Sequence, residues 1–460
     1  MPYVASAGFK LLVMVLKRTF LSCFISALCC MSVCSFATER TDSVSAVGNI
    51  RLSSDSLSLH TDSVAYQPDD FLPLSDILHV RKDTVASVSD SLRREAKKAK
   101  KKNKNFKFSI LGGPGYTPDY GFLIGGAALF SFSADKRDTA LQRSVIPVNF
   151  GLTFSKPLGF YILVKPQIFF KKDRIRLFGI YEYENNNDNY YGVGYDDNHN
   201  TQRGKYITGF RQNTIHLNPV LMFRLRESRC FLGASVDYIY EKITSPGEFV
   251  LNDPVYVSQG GTADGFKANN LGLGAVFSYD TRDMAANPYN GVFFELKLSY
   301  YSKYFGGDFN YGSFNMDYRQ YYKLSKSHRR VLAWNVLVKS TFQDVPFTQY
   351  AIIGGPYDLR GYYQGQYRDK STAVAMLEYR QMWDAGSETK IKRLLSRLGY
   401  VLWGGCGIAG PSPVCYNAVL PNLGLGLRVE VQPRMNFRVD GGYSFADKHM
   451  LFYFNMTEAF

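Results

Sequence analysis

The 460-residue sequence has no run of about 18 consecutive apolar residues after its N-terminal region, so it lacks the apolar length that a transmembrane helix needs. A chain without such helices can cross a bilayer only as a closed β-barrel, because only helices and closed barrels pair every backbone group internally. The sequence therefore excludes a helical membrane protein beyond the N-terminus and leaves a soluble fold or a barrel.

Catalytic motifs are also missing. The six histidines are scattered without metal-ligand spacing, at His60, His79, His199, His216, His328 and His449. There is neither a Gly-x-Ser-x-Gly nucleophile elbow nor a phosphate-binding Gly-Lys-Ser loop. We therefore expect no enzymatic activity, no metal site and no cofactor.

Cysteine is scarce beyond the N-terminal region. Four of the seven cysteines fall before residue 38, which leaves Cys230, Cys406 and Cys415. In an oxidising compartment Cys406 and Cys415 could close one short disulfide. Three free thiols are the alternative, and the one that we favour.

The N-terminal region has the composition of an export signal. Lys17 and Arg18 precede an apolar run, and small residues stand where signal peptidase cuts, so a signal peptide is predicted at 1–37. Residues 38–105 are rich in Ser, Asp and Thr and end in a Lys-rich run, which is typical of disorder. We interpret them as a solvated periplasmic tether; the alternative is an arm that touches anionic lipid or a partner.

The net charge of +14 does not indicate a nucleic acid partner. Part of it belongs to the predicted signal peptide, and more is concentrated in the run at 93–107. No nucleic-acid-binding motif surrounds that run, so we expect no nucleic acid to bind.

Aromatic residues and alternating polarity dominate from Phe106 onward. The chain holds 33 Tyr and 34 Phe, which favour pleated and interfacial surfaces. At 422–432, five apolar residues at odd positions oppose glycines, charged residues and glutamine at even positions. A period of two with charge on one face is typical of a lipid-facing wall around a wet lumen.

About sixteen such segments predict an all-β fold, a 16-stranded antiparallel transmembrane β-barrel at 106–460, closed between its first and last strands. The segments are 106–115, 120–132, 142–154, 159–171, 173–184, 206–226, 229–242, 268–281, 290–304, 308–324, 329–343, 371–383, 397–409, 420–432, 434–446 and 449–458. A soluble β-sandwich or barrel is the alternative, which the strand number and the aromatic content disfavour.

The connections alternate between long and short. We expect both termini on the periplasmic side, with long outer loops at 185–205, 243–267, 344–370 and 410–419. The inner turn at 384–396 is an exception to the short inner turns, and its Lys390, Lys392 and Arg393 suggest a short basic helix.

The most informative stretch is 352–380. A Gly-Gly turn leads to the motif Leu359-Arg360-Gly361-Tyr362, between the eleventh and twelfth predicted strands. This arrangement resembles the bacterial surface antigen family of outer-membrane barrels, which includes BamA, TamA and the two-partner secretion transporters. The resemblance implies sixteen strands and a sixth outer loop that carries this motif and folds back into the lumen.

An arginine inside a lumen needs an acceptor, because burying it unpaired is costly. Successive side chains of a strand point to opposite faces, and this parity puts Glu378 and Arg380 on the lumen face of one strand. It puts Asp440 on the lumen face of another. We therefore hypothesise that Arg360 pairs with Glu378 or Asp440. The alternative is an ordinary exposed loop arginine.

Further segments match that family in order and spacing. Asp280, Arg282 and Asp283 lie in a segment similar to its periplasmic turn. The closing segment resembles its last strand, with a C-terminal aromatic signal for the assembly machinery, here Phe452, Phe454 and Phe460. Family members usually carry POTRA domains before the barrel; residues 38–105 are too few and too polar for one, which predicts a barrel-only member.

The resemblance implies a role in outer-membrane protein assembly, insertion or translocation, through a weak seam between the first and last strands. Gly112, Gly113, Pro114 and Gly115 fit a short, breakable seam and equally a bulge. The implied partners are outer-membrane lipid or lipopolysaccharide, the β-barrel assembly machinery and client outer-membrane proteins. The alternative function is a passive channel or a surface-structural subunit of an outer-membrane complex.

Overall fold

The computed structural model describes residues 105–460, apart from 136–137, 139–140, 286, 328, 387, 433–434 and 457. The predicted signal peptide at 1–37 and the tether at 38–105, except its last residue, lie outside the described residues. Both therefore stay predictions.

Sixteen antiparallel wall strands close into one barrel in the part of the chain that the structure describes. The strands are β1 (Lys107–Thr117), β2 (Gly121–Phe132), β3 (Ser144–Thr153), β4 (Gly159–Val164), β5 (Gln167–Phe170), β6 (Ile175–Asn189), β7 (Gly209–Arg224), β8 (Cys230–Thr244), β9 (Phe266–Asp280), β10 (Gly291–Tyr301), β11 (Tyr311–Lys323), β12 (Arg330–Gln343), β13 (Ala351–Ile353), β14 (Tyr367–Asp369), β15 (Ser371–Met382), β16 (Leu398–Gly410), β17 (Ala418–Gln432), β18 (Met435–Ser444) and β19 (His449–Met456). β4 and β5 form one wall strand interrupted at Lys165 and Pro166, because proline has no N–H for the ladder. β13 and β14 pair with each other inside the loop between β12 and β15. The predicted 16-stranded antiparallel barrel is confirmed.

An even number of wall strands brings both ends of the barrel chain to one side. We call that side the terminal rim and the opposite side the loop rim. The helices are short and lie in connections: α1 (Tyr195–Asn200), α2 (Glu248–Asn252), α3 (Pro254–Ser258), α4 (Lys390–Leu395), and the 3-10 turns Lys303–Phe305 and Phe347–Gln349. Among the described residues, no helix has the length and apolar character to cross a membrane.

The wall is apolar outside and polar inside. Along β17, Leu423, Leu425 and Leu427 are each more than half exposed. Arg428, which directly follows Leu427 on the same strand, is 1% exposed. The alternation predicted from the sequence is therefore the alternation between exterior and lumen. A closed barrel with this distribution satisfies its backbone internally and presents apolar side chains to lipid.

An aromatic cluster covers the lumen at the loop rim. The ring of Phe347 packs edge-on against Tyr190 and Tyr256, with centroids 5.3 Å apart in both pairs, and against Phe266 at 4.9 Å. All four side chains are buried. They belong to the connections after β6, β8 and β12 and to the start of β9, so the long loops pack on one another over the lumen.

One predicted boundary was wrong by several residues. The sequence predicted a strand end at 184 and an outer loop from 185, but β6 continues to Asn189. Residues 185–189 are polar and lack apolar alternation, yet they pair in register with the start of β7. The backbone pairing of β6 with β7 therefore continues beyond the apolar part of the wall toward the loop rim. The sequence there has no alternation that would predict a strand.

Two smaller predictions concern the connections. The turn between β15 and β16 contains α4, where a short basic helix was suggested. Cys230, Cys406 and Cys415 are free, so the favoured alternative of three thiols is the one found.

Candidate functional site

The loop between β12 and β15 enters the lumen. The loop reverses direction at Gly354 and Gly355, both with φ of 114°, a backbone region that favours glycine. Leu359, Arg360 and Tyr362 are then at most 1% exposed. The motif predicted for the lumen therefore lies inside the barrel wall.

Arg360 contacts both carboxylates that parity assigned to the lumen. Its Nη1 donates to Oδ2 of Asp440 at 3.0 Å, and its Nη2 contacts Glu378. The guanidinium also lies 3.7 Å from the ring centroid of Trp403, which is a cation–π distance. Since each partner belongs to a different wall strand, one side chain ties the loop to β15, β16 and β18.

The Arg360 pairs belong to a larger buried charge network. Asp440 also accepts from Arg428 at 2.6 Å and from Arg438 at 2.8 Å. Further out, Arg380 donates to Glu378 at 2.8 Å, and Arg428 donates to Glu458 at 2.9 Å. All these side chains are under one-tenth exposed: Arg360, Glu378, Arg380, Arg428, Arg438, Asp440 and Glu458. Removing one member leaves buried charge without its partner, which is far costlier than losing a surface pair.

The loop approaches the wall at a pair of glycines. Gly361 has a φ of 104°, and a β-carbon at Gly442 on β18 would lie 2.8 Å from the Gly361 nitrogen. Tyr453 of β19 completes the contact, since its hydroxyl accepts from Gly361 N–H and donates to the Tyr362 carbonyl, each at 3.0 Å. Glycine at both positions permits this approach of two backbones.

One residue pair joins β1 to β19 within the described part of the chain. Tyr116 pairs with Phe454, and their rings meet edge-on with centroids 6.2 Å apart. By contrast, β1 forms eleven residue pairs with β2, and β18 forms eight with β19. Phe108 and Ile110 in the first half of β1 are more than half exposed. The seam is therefore the weakest junction of the wall, with an open strand edge.

The glycines and proline of β1 belong to a regular strand. Gly112, Gly113 and Pro114 pair in continuous register with β2. The alternative prediction of a bulge in β1 is therefore wrong. These residues leave β1 with little side chain to pack at the seam.

The motif loop also contacts both sides of the seam at the loop rim. Asp119, in the turn after β1, accepts from the backbone N–H of Gln364 at 2.9 Å. Arg203 donates to the Asp119 carbonyl at 2.8 Å and stacks 4.4 Å from the Tyr363 ring. Tyr363 in turn packs 5.4 Å from His449 of β19. Burial raises the pKa of Asp119, and the charge of Arg203 opposes that shift.

The predicted C-terminal aromatic residues divide between two environments. Phe452 and Phe454 on β19 are 50% and 36% exposed on the outer wall. Phe460 lies beyond β19 and is buried against Tyr321, and Nη2 of Arg380 donates to its backbone oxygen at 3.1 Å. Glu458 and Phe460 therefore both contact the charge network.

The predicted turn residues stabilise the connection between β9 and β10 at the terminal rim. Arg282 donates to both carboxylate oxygens of Asp280, at 3.0 and 2.8 Å, and lies 4.2 Å from the Phe293 ring. Asp283 accepts from the backbone N–H of Tyr289 at 3.0 Å. These contacts hold the turn between β9 and β10 in its shape.

Sequence reasoning missed part of this site. Parity assigned Arg428 and Arg438 to the lumen, but nothing in the sequence singled them out as partners of Asp440. Glu458 and Asp119 gave no signal, because their contacts join segments far apart in the chain. Among the described residues, no group of His, Cys, Asp and Glu side chains has the geometry to hold a metal ion.

The chain has detectable relatives. A family model, the Omp85 superfamily domain, matches residues 90–393. BamA from Haemophilus ducreyi lacking POTRA domains 1–3 has a similar structure, with a TM-score of 0.51 and 16% identity over 76% of this chain and 70% of that chain. CdiB from Escherichia coli matches with a TM-score of 0.51 and 10% identity over 77% of this chain and 63% of that chain. This chain thus spans less than two thirds of the CdiB chain. No curated protein sequence matches.

Proposed function

Because the chain belongs to the Omp85 superfamily of outer-membrane barrels, we propose that it inserts client proteins into, or translocates them across, the outer membrane. The seam between β1 and β19 is the proposed working site. The lumen network, with Arg360 at its centre, holds the barrel together while the seam opens.

The observation that carries this proposal is the contrast between the seam and the other junctions. One residue pair closes the seam, against eleven between β1 and β2. A strand edge with free backbone groups can pair with an extended segment of another chain by β-augmentation. A client strand that pairs with β1 would gain a ladder and would displace a single existing pair.

The filled lumen supports a lateral route over a passive channel. The motif loop lies inside the barrel, with Leu359 and Tyr362 fully buried, and the aromatic cluster around Phe347 covers the loop rim. A wide aqueous pore requires an empty lumen. A channel that conducts in the resting state is therefore disfavoured.

The orientation and partners belong to the same proposal. We place the terminal rim, with both chain ends, on the periplasmic side, because the loop rim carries the long connections. Outer-membrane lipid or lipopolysaccharide would surround the wall, and client proteins or the assembly machinery would meet the seam. The proposed role requires no chemistry, so no cofactor is needed.

A client-folding assay tests the proposal. An unfolded eight-stranded outer-membrane protein is added to vesicles with or without the reconstituted barrel, and its folded fraction is followed by gel mobility. We expect folding to be about tenfold faster with the barrel. A client strand that is already paired with β1 lowers the entropic cost of forming the client's own long-range strand pairs. Equal rates in the two vesicle populations, together with steady conductance in planar bilayers, would favour the passive channel instead.

A further inference from the structure

A short helix at the terminal rim has an apolar face that no other part of the described chain covers. None of the six residues of α4 is buried. Ile391 and Leu394 are 72% and 61% exposed, and Leu395 is 40% exposed. Positions i, i+3 and i+4 share one side of a helix, so the three side chains form one apolar stripe.

The same turn carries an excess of positive charge. Residues 384–397 include four cations (Lys390, Lys392, Arg393 and Arg397) and two carboxylates (Asp384 and Glu388). Lys392 pairs with Glu388, and the two side chains are 48% and 73% exposed. An exposed apolar stripe beside several cations is the pattern of helices that lie in a membrane interface.

The turn continues the lipid-facing wall. Trp383 directly precedes it and is 43% exposed. On the two strands that it joins, the hydroxyls of Tyr379 and Tyr400 both donate to the side-chain oxygen of Gln381, at 2.6 and 3.2 Å. Tyr and Trp side chains concentrate at the boundary between hydrocarbon and headgroups. The helix therefore starts where that boundary is expected.

Hydrogen bonds join the two ends of the turn to each other and to Arg329, just before β12. Ser396 is 8% exposed; its hydroxyl accepts from the Ala385 N–H at 3.1 Å and donates to the Gly386 carbonyl at 3.0 Å. Arg329 donates to the carbonyls of Trp383 and Ser396, at 2.9 and 2.7 Å. The two ends of the turn that carries the helix are thus held together beside the wall.

We propose that the turn formed by residues 384–397 is a docking surface for anionic glycerophospholipids of the leaflet at the terminal rim. Ile391, Leu394 and Leu395 enter the boundary between headgroups and acyl chains. Lys390 and Arg393 bind the lipid phosphates, whose charge complements theirs. This inference depends on the wall and the turn alone and is independent of the proposed insertion function.

Hydrogen–deuterium exchange of the full chain in lipid nanodiscs tests it. Discs of phosphatidylcholine are compared with discs that also contain phosphatidylglycerol, at low and high salt. The amides of 391–396 are expected to exchange about tenfold more slowly in the anionic discs at low salt, because a docked helix opens less often. High salt should remove most of that difference, since it screens exposed charges.

Two variants separate the contributions of charge and apolar contact. The triple variant Lys390→Gln, Lys392→Gln, Arg393→Gln is expected to exchange equally fast in both kinds of disc. The variant Ile391→Ser, Leu394→Ser should lose protection in both. The matched control is Lys171→Gln, Lys172→Gln, Arg226→Gln, which removes three exposed cations from other turns of the terminal rim and should behave like the wild type.

Three outcomes would overturn the docking surface. Equal protection in neutral and anionic discs would show apolar insertion without headgroup recognition. Fast exchange in both would show that the helix binds no lipid. Protection that depends on the number of barrels per disc would assign the face to a second copy of the chain.

Discussion

A chain in which Arg360 is replaced by methionine is expected to lose about 3–5 kcal/mol of folding free energy, a large share of the roughly 5–15 kcal/mol that folded proteins have. Methionine keeps much of the side-chain volume but removes the charge that Glu378 and Asp440 share. Both carboxylates then stay buried beside their remaining arginine partners, with less compensating charge. Urea titration of the gel-mobility shift between folded and unfolded barrel measures the loss.

An exposed ion pair provides the control for this prediction. Arg174 donates to Glu227 at 2.8 Å, but the two side chains are 66% and 79% exposed. Arg174→Met should therefore change stability by less than about 1 kcal/mol. Equal effects of the two substitutions would contradict the network's role in holding the barrel together.

Valine in place of Gly442 is expected to expel the motif loop from the lumen. A β-carbon there would lie 2.8 Å from the Gly361 nitrogen and 2.9 Å from the Arg360 carbonyl carbon, both of which are backbone atoms that cannot rotate away. The loop must shift as a whole, which breaks the contacts of Arg360. Overpacking of this kind costs about 1–3 kcal/mol or more, and the displaced loop becomes accessible to protease.

Valine in place of the neighbouring Gly441 is the matched control for Gly442→Val. A β-carbon at Gly441 would meet the ends of the Met450 and Phe452 side chains, at 3.0 and 3.2 Å, which can move aside. Gly441→Val should therefore leave the loop at 344–370 protected, whereas Gly442→Val should let trypsin cut it at Arg360 or Arg368. Similar cleavage of both variants would show that the docked loop does not depend on the Gly361–Gly442 approach.

The sequence predicted the wall well because each strand has one apolar and one polar face. Period-two alternation located the sixteen strands and put Glu378 and Asp440 in the lumen together. With a motif loop at the predicted place, these two carboxylates became the expected partners of Arg360. The structure adds that the arginine contacts both, since its two terminal nitrogens point to different strands.

The remaining features depend on three-dimensional closure, which alternation does not describe. The seam has one residue pair, and the way in which β1 meets β19 leaves no local pattern in either strand. Phe460 contacts Arg380 of the lumen network from beyond the end of β19, where no alternation exists. Asp119 meets Gln364 across 245 positions of sequence, so neither residue's neighbours predict the contact.

The folding rate of a client in vesicles whose barrels carry a bridged seam tests the central claim most directly. Tyr116 and Phe454 are replaced by cysteine, because they are paired across the seam, and all seven native cysteines by serine, so that one bridge can form. The oxidised barrel is expected to fold normally but not to accelerate client folding, and reductant should restore the acceleration. Undiminished acceleration by the fully oxidised barrel would contradict a working seam between β1 and β19.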